Sequence, residues 1–189
     1  MKALLPEGFR YVPEFLVRSE HDVLLDRLRA LRFDHDVFRG RQLKRGWAQF
    51  GYQYLSTGRR LVEAPPMPPF LVRLVETGRS VCPDPVESFN QCIVTHYQRG
   101  AGIGWHTDAP RFGEVILGIS LGAPGRMQFR VGRSGGACCE MVLQAGSLYV
   151  MSGPARWAYQ HRVVPVASDR WSLTFRHVGA TLALGSKAP

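Results

Sequence analysis

The sequence predicts an α+β protein in which an N-terminal helical layer supports a C-terminal β-sandwich of jelly-roll type. Three observations favour this fold. Leucines recur at helical spacing near the N-terminus, short β-prone segments follow one another from Phe89 onward, and Gly, Pro or Asp separates several of these segments. Many short strands at near-regular spacing are typical of β-sandwiches and barrels.

Two helices are predicted before residue 89. The first has Ser19 as its N-cap residue and presents one apolar face, formed by Leu24, Leu25, Leu28 and Leu31. The second begins near Pro69 and ends at Gly78, because proline suits the first turn of a helix and glycine its C-terminal end. Its inward-facing residues are Leu71, Leu74 and Val75.

Seven β-prone segments follow, and they span residues 89–97, 114–121, 126–131, 138–143, 147–152, 157–164 and 170–178. A chain of 189 residues favours a single domain that can bury a proper core. We therefore expect one domain over residues 1–189, in which a helical extension at 1–88 precedes a β core at 89–178.

The composition is that of a globular chain, with 45% hydrophobic and 21% charged residues. No apolar run approaches the roughly 20 residues that span a bilayer, and the N-terminus lacks the pattern of a signal peptide. The four cysteines form no C-x-x-C pair, which predicts reduced thiols rather than a zinc site built from thiolates. We expect a cytoplasmic monomer with no membrane partner.

The net charge of +9 comes almost entirely from arginine. It has two interpretations that the charge alone leaves open: a genome that favours arginine codons, or a polyanionic partner such as nucleic acid. No basic block stands out, although Arg39, Arg41, Lys44 and Arg45 come close to forming one.

A candidate metal site lies in the segment GIGWHTDAP, where His106 and Asp108 are two residues apart. Residues i and i+2 of a strand point the same way, so one imidazole and one carboxylate can reach one ion. His161, in WAYQHRVVP, is the best candidate for a third ligand. Two histidines and one carboxylate leave coordination positions open and suit Fe(II) oxygen chemistry.

A second constellation lies in residues 170–176, which read RWSLTFR. Alternation assigns one face to the core and leaves on the other Arg170, Ser172, Thr174 and Arg176. The ordinary alternative is a solvent-facing surface. The segment 89–97 similarly aligns Thr95 and Tyr97. Two guanidinium groups with a phenol and hydroxyls would bind a small dianion, which beside a metal implies a keto-acid cosubstrate.

The ordered motifs resemble those of the AlkB-type Fe(II)/2-oxoglutarate dioxygenases. The similarity covers roughly residues 89–178: NQCIVTHYQRG, the H-x-D pair, GISLG at 118–122, a distal histidine, and R-x₅-R ending in LTFR. The resemblance implies a double-stranded β-helix core and a nucleotide-recognition lid within 1–88. It also implies Fe(II), 2-oxoglutarate and O₂ as cofactor and cosubstrates.

The resemblance also implies roles for individual residues. The iron ligands would be His106, Asp108 and His161. Arg170, assisted by Tyr97, would pair with the distal carboxylate of 2-oxoglutarate. The remaining cosubstrate contacts would come from Arg176, Thr95 and Ser172, of which Thr95 and Ser172 stand where the bacterial repair enzyme carries asparagines.

The implied reaction is the oxidation of an N-methyl group on a nucleobase of DNA or RNA, which releases formaldehyde. The base must be flipped or single-stranded to reach a buried iron, and it needs stacking platforms and a positive groove. The residues that would supply them are Trp47, Phe50, Tyr52, Tyr54, Arg39, Arg41 and Trp105. Alternatively, the aromatic residues at period two form one packed face of a strand, and Trp105 packs in the core.

Two features bear on the substrate. Pro110 stands where the repair enzymes carry an acidic residue that reads the base. The strand that contains Ser172 resembles the corresponding strand in the tRNA-modifying branch of the family. The alternatives are a hydroxylase that acts on protein side chains, on a tRNA modification or on a small molecule, and a binding module with a degenerate metal site. The sequence does not decide between DNA, RNA and protein substrates.

Overall fold

The computed structural model describes residues 4–55, 60–83 and 88–179. In these residues three helices accompany thirteen strands. The helices are α1 (Arg18–Arg29), α2 (Pro69–Arg79) and α3 (Gly153–Trp157). The strands are β1 (Phe9–Val12), β2 (Asp34–Phe38), β3 (Arg41–Phe50), β4 (Tyr52–Leu55), β5 (Arg60–Glu63), β6 (Gln91–Tyr97), β7 (Ile103–His106), β8 (Ile116–Gly122), β9 (Gly125–Val131), β10 (Cys139–Leu143), β11 (Leu148–Met151), β12 (Tyr159–Val163) and β13 (Arg170–Arg176).

The strands form three antiparallel sheets. The large sheet has the order β1-β11-β8-β13-β6-β3-β2, the small sheet has the order β10-β9-β12-β7, and β4 and β5 form a separate pair. Neighbouring strands of the two main sheets are often distant in sequence, as when β13 lies between β6 and β8. This arrangement of mostly antiparallel strands with few helices fits the jelly-roll core predicted from the sequence.

One apolar cluster lies between the helices and the large sheet. Leu28 of α1 and Leu71 of α2 are fully buried in it, together with Leu117 and Leu148 of the sheet. Gly78 lets α2 approach the large sheet closely, because a Cβ at this position would lie 2.9 Å from the side chain of Leu117. The apolar faces predicted for the two helices are thus the faces that the structure buries.

A second apolar cluster lies within the β core and includes residues of both main sheets. Phe129 of the small sheet packs edge-on against Phe9 of β1, and Phe9 stacks on Tyr149 of β11. Gly118 is required beside Tyr149, because a Cβ at this position would overlap the phenol ring. This packing leaves room nearby for a small polar pocket.

Two details of the predicted helices differ from the structure. The N-cap of α1 is Val17 and not Ser19, because the Glu20 carboxylate accepts a hydrogen bond from the Val17 N–H at 3.3 Å and closes the helix start. The helix α2 begins at Pro69 as predicted and continues one residue past Gly78. None of the described helices is long and apolar enough to span a bilayer.

Residues 1–88 were predicted to form a helical extension, but the secondary structure of this range is mixed. The described part of this range contains α1 and α2 but also five strands, of which β1, β2 and β3 belong to the large sheet. Two elements after residue 89 were also missed, the short strand β7 and the short helix α3. These strands are short or interrupted by glycine, and long-range pairing, such as Trp47 with Thr95, determines their conformation.

Candidate metal and cosubstrate site

A pocket of about 90 Å³ lies between the large and small sheets. Two of its histidines come from neighbouring strands of the small sheet, because His161 of β12 lies directly opposite His106 of β7. Asp108 follows β7 by two residues and is buried in the same pocket. The structure therefore brings together the three residues predicted as metal ligands.

The donor atoms of these three side chains face one another. The ring centroids of His106 and His161 are 4.3 Å apart, and His161 Nε2 lies 3.7 Å from Asp108 Oδ2. His106 Nδ1 lies 2.9 Å from the carbonyl oxygen of Gly104. A carbonyl only accepts, so Nδ1 carries the proton and Nε2 keeps its lone pair for a metal. The three side chains are therefore neighbours, but no group of three or more His, Cys, Asp or Glu among the described residues is arranged as a metal-binding set.

Arg176 orients the Asp108 carboxylate. Its Nε and Nη2 both donate to Oδ1, the former at 2.8 Å, so that Oδ2 is left facing His161. Burial opposes ionisation of Asp108, but the guanidinium of Arg176 and the two histidines hold the pKa of this carboxyl well below its usual range. Burial and the neighbouring His106 lower the pKa of His161 to about 3, so its imidazole is neutral. A carboxylate at Asp108 and a neutral imidazole at His161 are the protonation states that metal binding requires.

Arg156, which was not singled out in the sequence, ties the two ligand-bearing segments together. It is 2% exposed and lies on α3, directly before the strand of His161. Its guanidinium donates to the carbonyl oxygens of Asp108, Ala109 and Phe112, at 3.1, 2.8 and 3.3 Å. The loop that begins at Asp108 is therefore fixed against the helix that leads to His161.

The opposite wall of the pocket contains a buried cation with unused donors. Arg170 has no exposed surface, and its Nη2 donates to Ser120 Oγ at 2.9 Å. The Tyr97 hydroxyl is a second side-chain partner of the guanidinium, while Nε and Nη1 have no hydrogen-bond partner among the described residues. Gly125 leaves space beside the guanidinium, since a Cβ there would lie 2.5 Å from Nε. A buried unpaired guanidinium is costly unless an anion completes it. A carboxylate of 2-oxoglutarate fits this requirement.

The other predicted cosubstrate residues line the same pocket. Tyr97 and Arg170 are paired across β6 and β13, as are Thr95 and Ser172, and all four line the pocket. The guanidinium of Arg170 lies 5.3 Å from the centre of the Tyr97 ring. Ser120 was not predicted individually, although it lies within the GISLG motif that contributes to the resemblance. The alternation rule thus placed the two-arginine face correctly toward a pocket and not toward solvent.

A larger cleft of about 410 Å³ adjoins this pocket, and Ile93 lines both cavities. Of the predicted substrate residues, Trp47 and Tyr54 line this cleft. Arg45, noted in the sequence as part of a basic stretch, lines the cleft as well. Three polar cleft residues were missed because they lie on strands that were not predicted: Asp36, Gln49 and Gln53. The Asp36 carboxylate accepts hydrogen bonds from Arg45 at 3.1 Å and from Trp47 Nε1 at 3.3 Å.

The remaining predicted substrate residues lie elsewhere. Phe50, at the end of β3, packs against the first apolar cluster, whereas Tyr52 and Tyr54 of β4 pack against the second. The three rings are therefore packed, but they do not form one face of a single strand as the alternative expects. Arg39 occupies the turn between β2 and β3 with a φ of 51°, and Arg41 is exposed on the same hairpin. Neither arginine lines the cleft.

Trp105 lies on the outer face of the small sheet. The guanidinium carbons of Arg130 and Arg162 each lie 4.6 Å from the centre of its ring. Arg162 follows His161 on β12, and neighbouring residues of a strand point to opposite faces of the sheet. Trp105 therefore lines neither the pocket nor the cleft, and both interpretations offered for it, core packing and pocket wall, were wrong.

A sequence model described as the 2OG-Fe(II) oxygenase superfamily matches residues 8–177. The chain belongs to this superfamily. The "Alpha-ketoglutarate-dependent dioxygenase AlkB" of Escherichia coli K12 is 26% identical over 125 residues, which cover 61% of this chain and 57% of that protein. The solved structure of OsALKBH1 has a TM-score of 0.75 at 19% identity and covers 92% of this chain and 98% of the other, so it shows the common fold.

The vertebrate relatives of this oxygenase are longer proteins. The Xenopus tropicalis protein named "tRNA (carboxymethyluridine(34)-5-O)-methyltransferase alkbh8" is 26% identical over 174 residues, which cover 87% of this chain but 26% of that protein. The chain thus spans about a quarter of the length of this relative. The prediction of an AlkB-type dioxygenase is confirmed, and the superfamily uses Fe(II), 2-oxoglutarate and O₂.

Proposed function

We propose that this dioxygenase oxidises alkylated nucleobases in DNA or RNA and removes their N-methyl groups. The observation that carries the proposal is the cleft beside the metal pocket, because aromatic and amide side chains line it and it adjoins the predicted metal ligands. Its aromatic walls include Trp47 and Tyr54, its rim carries amide side chains, and it meets the pocket at Ile93. A flat ring stacked in the cleft would present its edge toward the metal ligands.

Each group of residues has a part in this reaction. His106, Asp108 and His161 would hold the iron, and Arg176 keeps the carboxylate ionised and turned toward it. Arg170 would bind the distal carboxylate of 2-oxoglutarate through the donors that have no protein partner. When bound, iron and 2-oxoglutarate supply the oxidative chemistry with O₂, while the protein orients the substrate and excludes water.

Charge supports a polyanionic substrate over a protein substrate. The net charge of the chain is +9, and the exposed hairpin of β2 and β3 carries Arg39 and Arg41 on the same hairpin as the cleft residues Asp36 and Arg45. Basic groups beside a base-sized cleft would hold the phosphates that flank a flipped nucleotide. The name of the bacterial relative AlkB specifies a dioxygenase, and that of the Xenopus relative specifies a modified uridine of tRNA.

The direct test is formaldehyde and succinate formation by the iron-loaded protein with methylated and unmodified oligonucleotides of the same sequence. We expect the methylated DNA or RNA to raise succinate formation above the substrate-free rate. The formaldehyde released should equal this increase in succinate. Normal substrate-free turnover with no stimulation by any methylated DNA or RNA would contradict the proposal. Stimulation by a peptide or a small molecule would then favour the alternative class of substrate.

A matched pair of tryptophan variants tests the assignment of the cleft. Trp47→Ala is expected to raise KM for the methylated oligonucleotide by about 5- to 150-fold, because one base–aromatic stack contributes about 1–3 kcal/mol. Substrate-free succinate formation should be unchanged, since Trp47 does not line the metal pocket. Trp105→Ala is the control on the outer face of the small sheet. An equal rise of KM in both variants would show that Trp47 has no special contact with the base.

A further inference from the structure

The carboxylates along the path to the metal are all paired already. Among the described residues that line the cleft and the pocket, the acidic side chains are Asp36 and Asp108. Asp36 is held by Arg45 at 3.1 Å and by the indole N–H of Trp47. Asp108 is held by Arg176. An entering base therefore meets no described carboxylate that is free to neutralise a positive charge.

The same lining carries more positive than negative charge. Arg45, Arg170 and Arg176 face these two cavities, against the two carboxylates. A divalent iron and the dianionic 2-oxoglutarate cancel in formal charge, so the excess of one positive charge persists in the loaded enzyme. The aromatic walls would attract a cation by about 0.5–2 kcal/mol. The Arg45–Asp36 pair is only partly buried, with 23% and 49% of the two side chains exposed, so a cationic base would lose part of its hydration here. It would find no unpaired carboxylate in return, and the excess positive charge of the lining would oppose its entry.

The hydrogen-bonding groups of the cleft agree with its charge. The side-chain oxygen of Gln49 accepts the backbone N–H of Tyr54 at 3.1 Å, which fixes the amide and leaves its NH₂ group as a donor. Arg45 adds further N–H donors, and guanidinium groups cannot accept. The donors of Gln49 and Arg45 are complementary to carbonyl oxygens, whereas the amide of Gln53 can donate or accept and favours neither class of base. The donors of Gln49 and Arg45 are not complementary to the exocyclic amino groups of adenine and cytosine, which are donors themselves.

We propose that the cleft selects an uncharged nucleobase whose edge carries carbonyl groups, of the uracil type, over the cationic N-alkylated forms of adenine and cytosine. This inference rests on the proposed function, because it names the class of base that enters the same site. Charge and hydrogen-bond direction lead to the same class independently. The selection is made by Arg45 and Gln49 within the cleft and not by the metal ligands.

Two oligonucleotides that differ in one base test the inference. One contains 3-methyluracil and the other 3-methylcytosine, in the same single-stranded sequence. Both carry the methyl group on N3, but the first base is neutral with a carbonyl at C4 and the second is cationic with an amino group there. We expect kcat/KM for formaldehyde release to be at least about 10-fold higher for 3-methyluracil, equivalent to about 1.4 kcal/mol.

The outcomes separate the two proposals. Equal or faster release from 3-methylcytosine would overturn the selection of neutral bases and leave base demethylation supported. No release above the unmodified oligonucleotide from either base, or from other methylated bases in the same assay, would overturn base demethylation and this inference with it.

Two variants of opposite charge test the cause of the selection. Arg45→Gln frees the Asp36 carboxylate and is expected to reduce the preference for 3-methyluracil by at least about 5-fold, through faster turnover of the cationic base. Asp36→Asn removes the carboxylate and should keep or increase the preference. The melting temperature and the far-UV circular dichroism spectrum check that both variants fold. If the ratio of kcat/KM for 3-methyluracil to kcat/KM for 3-methylcytosine is the same in Arg45→Gln as in the wild type, the role of this ion pair is overturned.

Discussion

Replacing Arg170 with methionine is expected to abolish 2-oxoglutarate turnover while leaving the ligand-free protein at least as stable as the wild type. The guanidinium is fully buried, and its Nε and Nη1 have no partner among the described residues. A carboxylate that binds two donors of a buried guanidinium gains a strong, directional interaction. Without it, we expect KM for 2-oxoglutarate to rise by at least about 100-fold, or activity to vanish.

The effect of Arg170→Met on stability has the opposite sign from the effect of an ordinary core mutation. Each buried donor left unsatisfied costs about 1–3 kcal/mol, and an apolar side chain of similar length removes that cost. The free energy of unfolding of the ligand-free variant, measured by urea denaturation, should therefore be unchanged or higher. At a fixed metal concentration, the wild type but not the variant should gain stability on addition of 2-oxoglutarate. A variant that is less stable but still binds 2-oxoglutarate would contradict this assignment of Arg170.

The site residues that could be predicted from the sequence share one physical property. His106 and Asp108, like Arg170 and Arg176, occupy alternate positions of an extended segment, and the pleat of a strand turns such positions to one face. The same alternation turns Trp105 away from the side of His106, so its predicted place in the pocket conflicted with the rule that found the ligands. A prediction for one residue of a strand constrains its neighbours as well.

The cleft could not be predicted because it depends on pairing between distant segments. Asp36 and Arg45 approach each other only because β2 and β3 form a hairpin, and Trp47 reaches the pocket region only because β3 pairs with β6. Glycines within residues 38–60 interrupt the local pattern, so the segment is not recognisable as strands from its own sequence. The buried polar contacts of Arg156 likewise exist only in the folded chain.

Replacing Asp108 with alanine is expected to abolish iron binding and, unlike Arg170→Met, to destabilise the ligand-free protein. The substitution removes a predicted ligand and also leaves Arg176 without its carboxylate, with Gln91 Oε1 at 3.2 Å as its other side-chain acceptor. Breaking one side of a buried ion pair costs about 3–5 kcal/mol, since the remaining charge stays desolvated. Calorimetric titration with Fe(II) under anaerobic conditions and urea denaturation would measure the two effects separately.

The double variant Asp108→Ala/Arg176→Met separates the two roles of Asp108. Removing both charges eliminates the unpaired cation, so most of the lost stability should return, whereas iron binding should stay absent because the ligand is still missing. Such a difference would show that Asp108 binds metal in addition to pairing with Arg176. Iron affinity equal to that of the wild type in Asp108→Ala would instead mean that the carboxylate is only structural, and it would favour a binding module with a degenerate metal site.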